Sequence, residues 1–311
     1  MRFYVQENNG VKTEIKKIVV PINFAEKSIN ALKVAACMAQ RHEAKLLVTH
    51  VVDTYQLIDR GGKQIIGAET VQQNIDVATL KLEALQTDLQ NEYQIDVAIK
   101  ITTDSILDAV NDLIMKENVD LVVVGTSGTQ KMKQLILGSN SYNMLLYANC
   151  SVLLIPEKFR KTSFKKILFP VRVNHELHQK ADLSVLLADK NEGDISLVGV
   201  GTPNKVLHAR KAFMEMKKNL MLQSAEYVSE FHLSDNNANS IAQAAQEKES
   251  DIIILADQDE NSWKSFMADN FFKKIINGTD VPLLIVKSKL KRIKNSPESL
   301  DGYDVSMPIP G

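Results

Sequence analysis

The segment KKIVVPIN, Lys16 to Asn23, returns as KKILFPVR, Lys165 to Arg172, at an offset of 149 residues. The same offset carries KLLVTHV, Lys45 to Val51, onto DISLVGV, Asp194 to Val200. Further on the offset falls to 131, laying DLVVVG, Asp120 to Gly125, over DIIILA, Asp251 to Ala256, and SVLLIP, Ser151 to Pro156, over PLLIVK, Pro282 to Lys287. A repeat on this scale is a domain duplicated in tandem, so the chain must adopt a fold that each copy can build from about half its length. The second copy is the shorter, and the deficit falls between its second and fourth strands.

Each copy alternates short apolar runs with helical periodicity. Val71, Ile75, Ala78, Leu82, Leu85 and Leu89 recur at steps of three and four, as do Ile29, Leu32, Ala36 and Ala39. Strands of nearly continuous Val, Ile and Leu need cover on both faces. The pattern therefore predicts an α/β chain of two tandem doubly wound domains, each with a five-stranded parallel sheet. The expected boundaries are 1–157 and 158–287, with 288–311 a flexible tail rich in Pro, Ser and Gly. EKFRKTSF, Glu157 to Phe164, is the expected linker.

Composition removes several classes of function. With 37 basic and 38 acidic residues, no basic field announces a nucleic-acid partner. The longest apolar runs are too short to cross a bilayer, so no membrane partner is expected. Two cysteines, Cys37 and Cys150, cannot build a disulfide framework, and no cationic and apolar leader opens the chain, so a cytoplasmic protein is expected.

Ligands of doubly wound sheets sit beyond the carboxyl ends of the strands, where Pro21, Asn23, Val51 and Gly125 fall. Behind Gly125 stand Gly128, Gly138, Ser139 and Ser141 at fixed steps. Taken singly, such glycines make tight turns and such a serine caps a helix. Together, helix-start N–H groups and hydroxyls form a cradle for phosphate oxygens. VPINFAEKSINALKVAACMAQ followed by G-x2-G-x9-G-S-x-S resembles the universal stress protein family, over roughly residues 15–157 and 164–287, with the glycine motif complete only in the first copy.

The resemblance implies an adenine nucleotide alpha hydrolase-like fold that holds ATP or another adenine nucleotide, with or without Mg²⁺, on Pro21, Asn23, Val51, Gly125, Gly128, Gly138, Ser139 and Ser141. Asn23 stands where ATP-binding relatives usually carry Asp, keeping an acceptor but losing the charge-assisted bond. The resemblance also implies an internal pseudo-dimer through the last strands, at Val152 and Leu284, and leaves a homodimer of the whole chain open. No residue of the cradle is an evident general base, so no catalytic residue is assigned and any hydrolysis is expected to be slow. The expected role is stress response or signalling, against the rival of a nucleotide-independent scaffold or chaperone-like protein with a vestigial site.

The second copy breaks the pattern, with Ala256, Asp259, Asp269, Asn270 and Phe272 at the ranks of Gly125, Gly128, Gly138, Ser139 and Ser141. Two carboxylates there would repel phosphate, predicting one nucleotide per chain. GVGTPN, Gly199 to Asn204, mimics a dinucleotide loop but lacks its third glycine. His50 is read as an edge histidine without chemistry, and His175 with His178 as a surface pair.

Overall fold

The computed structural model describes residues 13–58, 62–126, 138–172, 178–256 and 271–287. The first copy runs β1 (Lys17–Ile22), α1 (Glu26–His42), β2 (Lys45–Val51), β3 (Tyr55–Ile58), β4 (Gly62–Ile65), α2 (Ala68–Tyr93), β5 (Val97–Thr102), α3 (Ile106–Glu117), β6 (Leu121–Thr126), α4 (Ser139–Tyr147) and β7 (Ser151–Pro156). The second runs β8 (Lys166–Val171), α5 (His178–Asn191), β9 (Asp194–Gly201), α6 (Val206–Leu222), β10 (Tyr227–Leu233), α7 (Asn237–Glu247), β11 (Ile252–Ala256), α8 (Phe271–Gly278) and β12 (Leu283–Val286).

Strand alternation explains the layers. Ile18, Val20 and Ile22 of β1 point to one face, packed with Leu32 of α1, Leu82 of α2, Leu187 of α5 and Phe213 of α6. Val19 points to the other, with Val110 of α3, Met144 of α4, Ile241 of α7 and Phe272 of α8. Each of these two cores runs through both copies, because the strands form one ten-stranded sheet in the order β10-β9-β8-β11-β12-β7-β6-β1-β2-β5. Pairing is parallel within each set of five and antiparallel at the joint, where Leu153 faces Leu284 and Val152 faces Ile285. The two five-stranded units expected from the repeat are thus halves of a single sheet.

Two features of the duplication were not anticipated. β3 and β4 form a separate antiparallel hairpin after β2, part of the extra length of the first copy. In addition, a carboxylate just before the fourth main strand of each copy clamps the start of that copy's first strand. Asp120 accepts from the backbone N–H groups of Lys16 (2.8 Å) and Lys17 (3.1 Å). Asp251 does the same for Lys165 and Lys166, both at 2.9 Å, and takes Lys161 Nζ at 2.6 Å. The linker is tied down as well: Phe164 is fully buried, and Asn30 of α1 donates to the Phe159 carbonyl at 2.9 Å.

Candidate functional site

Parallel strands deliver their carboxyl ends and the following helix starts to one edge of the sheet. At that edge of the first copy lies a cleft of about 690 Å³, lined by Pro21, Asn23, Val51, Gly125, Gly138, Ser139 and Ser141. Seven of the eight residues marked in the sequence therefore meet around one cavity; the eighth, Gly128, lies outside the described residues. A cavity of this size is in the range of small-molecule sites.

The residues have different jobs there. A Cβ on Gly125 would stand 2.2 Å from the Lys27 carbonyl oxygen and 2.7 Å from its carbon, so Gly125 is glycine because the first turn of α1 lies against β6. The group that comes close to this backbone is a helix of the same chain. Ser141, read as a phosphate-facing hydroxyl, is buried and donates through Oγ to the Gly125 carbonyl at 2.9 Å, stapling α4 to β6. Ser139 is exposed at the first position of α4, and the cap residue Gly138 supplies no side-chain bond to the helix start. Among the described residues, no side chain is seen to cap the leading N–H groups of α4 at the cleft. This is the feature that fits a phosphate.

At the other end of the cleft, Asn23 Oδ1 accepts from Ala25 N–H at 3.2 Å, and Asn23 N–H donates to Ser28 Oγ at 3.3 Å. The carboxamide oxygen is engaged in this turn, so the group Asn23 retains for a ligand is its amide donor. Asp53, Asp104 and Asp108 line the cleft beyond β2 and β5. Ser105 caps α3, its Oγ accepting from Asp108 N–H at 3.2 Å, and Asp104 accepts from Thr102 Oγ1 at 3.0 Å. His50 Nδ1 bonds to the Ile22 carbonyl at 2.9 Å, and its ring packs 4.9 Å from that of Phe24, tying β2 to the end of β1.

Lys27, which also lines the cleft, was missed in the sequence. Its Nζ comes within 3.7 Å of the point a Cβ on Gly138 would occupy. A cation one turn after the first strand, beside the helix start, was the available signal.

The same edge of the second copy is built differently. Arg172, at the rank of Asn23, lays its guanidinium 3.5 Å from the centre of the Phe271 ring. Phe272, at the rank of Ser141, is fully buried and edge-on to Phe271. Lys180 is fully buried, with Nζ donating to the Pro170 carbonyl at 2.5 Å. Asp259, Asp269 and Asn270 lie outside the described residues. The dinucleotide-like Gly199 makes room for aromatic rings, since a Cβ there would stand 2.3 Å from Phe231 and 2.7 Å from Phe213. His178 bonds Asn219 at 3.0 Å, while His175 is outside the described residues. No helix among the described residues is long and apolar enough to cross a membrane.

Fold and cleft together define a doubly wound α/β protein with a ligand-sized cavity over the carboxyl edge of one half of its sheet. Residues 14–156, a little under half of the chain, match the universal stress protein family. A universal stress protein of Methanocaldococcus jannaschii is 24% identical over 143 residues, which is 45% of this chain and 81% of that one. The crystal structure of a universal stress protein from Archaeoglobus fulgidus superposes with a TM-score of 0.69 at 14% identity, covering 88% of this chain and 99% of its own. Another universal stress protein from that organism, 11% identical over 40% of this chain and 98% of its own with a TM-score of 0.33, has been solved in complex with dAMP, a ligand that is a property of that protein.

Proposed function

We propose that the chain binds one adenine nucleotide, ATP or a close relative, in the cleft of its first domain (residues 1–157), and acts as a nucleotide-gated module in stress response or signalling. The observation that carries this is the start of α4, with no side-chain cap among the described residues, facing a cavity that also gathers Pro21, Asn23 and Val51. In the second domain (residues 158–287) the stacked Arg172 and Phe271 and the buried Phe272 favour a scaffold without a nucleotide. Heat-denaturing the purified full chain should release an adenine nucleotide, and calorimetry with ATP, with and without Mg²⁺, should give a stoichiometry near one. A value near two overturns the asymmetry; no bound nucleotide in either experiment favours a nucleotide-independent scaffold. That second reading draws support from Gly125 and Ser141, whose contacts with α1 and β6 are explained by packing alone.

Asn23→Asp is expected to tighten ATP binding. One carboxylate oxygen can keep the bond from Ala25 N–H, while the second offers a charge-assisted acceptor to a ribose or base donor. Such a bond is worth about 1 kcal/mol, a few-fold to roughly tenfold in affinity. Weaker ATP binding by the variant in the same titration would mean that the amide donor is what the ligand uses.

A further inference from the structure

We propose that Lys27 is the residue by which the cleft reads phosphate, and that the cleft selects nucleotides whose phosphates all lie at one end. The proposal rests on the nucleotide reading above and goes further by naming the ligand's charge distribution. The absence of a Cβ at Gly125 lets the first turn of α1 sit against β6, with the Lys27 carbonyl 2.2 Å from the missing atom's position. That seat brings the Lys27 ammonium to 3.7 Å from the equivalent point on Gly138, at the start of α4. Neither cap residue, Ala25 of α1 nor Gly138 of α4, supplies a side-chain bond to its helix start, so two positive dipole ends and one ammonium converge on the same corner.

Among the described residues, the other end of the cleft has the opposite sign. The strand ends that form its floor follow the order β6-β1-β2-β5, which at strand spacing spans about 14 Å. Lys27 and α4 lie at the β6–β1 end; Asp53, Asp104 and Asp108 lie at the β2–β5 end. A phosphate at that second end would face three carboxylates and a helix start already capped by Ser105. In the second copy, the 149 offset places Glu176 at the rank of Lys27, so the cation is absent where the glycine motif is also lost.

The test is titration calorimetry on the full chain and on Lys27→Met and Lys27→Arg, with ATP, AMP, adenosine and adenosine 3′,5′-bisphosphate as probes. Lys27→Met should weaken ATP by about tenfold or more while adenosine changes less than about twofold, and Lys27→Arg should recover most of the loss. The unaltered chain should bind the bisphosphate about tenfold more weakly than AMP. Unchanged ATP affinity in Lys27→Met, equal weakening of ATP and adenosine, or a bisphosphate bound as tightly as AMP would overturn the proposal while leaving nucleotide binding intact. An unaltered chain that binds none of the four overturns the nucleotide reading and this assignment together.

Discussion

Gly125→Ala is expected to lower the melting temperature of the chain by roughly 2–5 °C, whereas Gly138→Ala leaves it nearly unchanged. At position 125 the added methyl meets backbone, 2.2 Å from the Lys27 carbonyl oxygen and 3.3 Å from Ser28 N, so β6 or the first turn of α1 must move. Overpacking of this kind costs about 1–3 kcal/mol, with more where backbone cannot yield. At position 138 the nearest neighbour among the described residues is the Lys27 ammonium at 3.7 Å, an ordinary contact, and φ is −56°, which any residue adopts. Because α1 carries Lys27, a displaced helix also withdraws the cation from the start of α4. Gly125→Ala should therefore lose ATP affinity as well as stability. Parallel thermal melts decide the matter, and equal melting temperatures for the two variants would mean that α1 does not bear on β6 as described.

The largest pH effect is expected from His42, in the last turn of α1. It is only 8% exposed, and its buried Nε2 has no hydrogen-bond partner among the described residues. Burial first, then the charges of Lys190 on α5 and Arg41 beside it, pull its pKa from 6.5 down to about 4. A histidine whose pKa is lower when folded is protonated more readily in the unfolded chain. The stability it supports is full above its ordinary pKa and is lost as the pH falls from about 6.5 towards 4. The loss between pH 7 and pH 4.5 should be roughly 2–3 kcal/mol. Carboxylates held below their usual range also lose stability in acid, such as Asp112 beside Lys116 and Lys100, and Glu117 beside Lys17. His42→Leu separates the contributions: urea unfolding at the two pH values should show a smaller acid loss in the variant by about that amount. Identical losses would mean that His42 takes up its proton in the folded chain as easily as in the unfolded one.

What could be read in advance follows from the range of the interactions involved. The strands of β1, β2, β6 and β7 are local apolar runs, and the duplication repeated the message in β8, β9, β11 and β12. The joint between Val152 and Leu284 was legible only through family resemblance, since no single strand declares its antiparallel partner. The β3–β4 hairpin was overlooked although Gly61-Gly62 between two short alternating runs is a turn signal. In the cleft, spacing located the glycines but misread one cause: Gly125 answers to Lys27, distant in sequence, and nothing local to either residue records that contact. The same holds for Gly199, whose missing side chain serves the rings of Phe213 and Phe231. Ser141 illustrates the limit for side chains, because a hydroxyl at a helix start can face a ligand or bond a neighbouring carbonyl, and only packing decides.

The antiparallel joint has a consequence for how the chain survives dilution and cutting. All six residues of β7 are buried and its outer edge is paired with β12, so each half shields the strand edge that the other would leave open. Through the short linker each half meets its partner at an effective concentration on the order of millimolar, and the union does not weaken as the chain becomes scarce. A single half released on its own would present a flat apolar strand with a free row of N–H and C=O groups, a template for pairing with strangers. Duplication within one polypeptide has thus turned an encounter between molecules into a built-in condition of folding, and made integrity of the connecting segment a safeguard against aggregation.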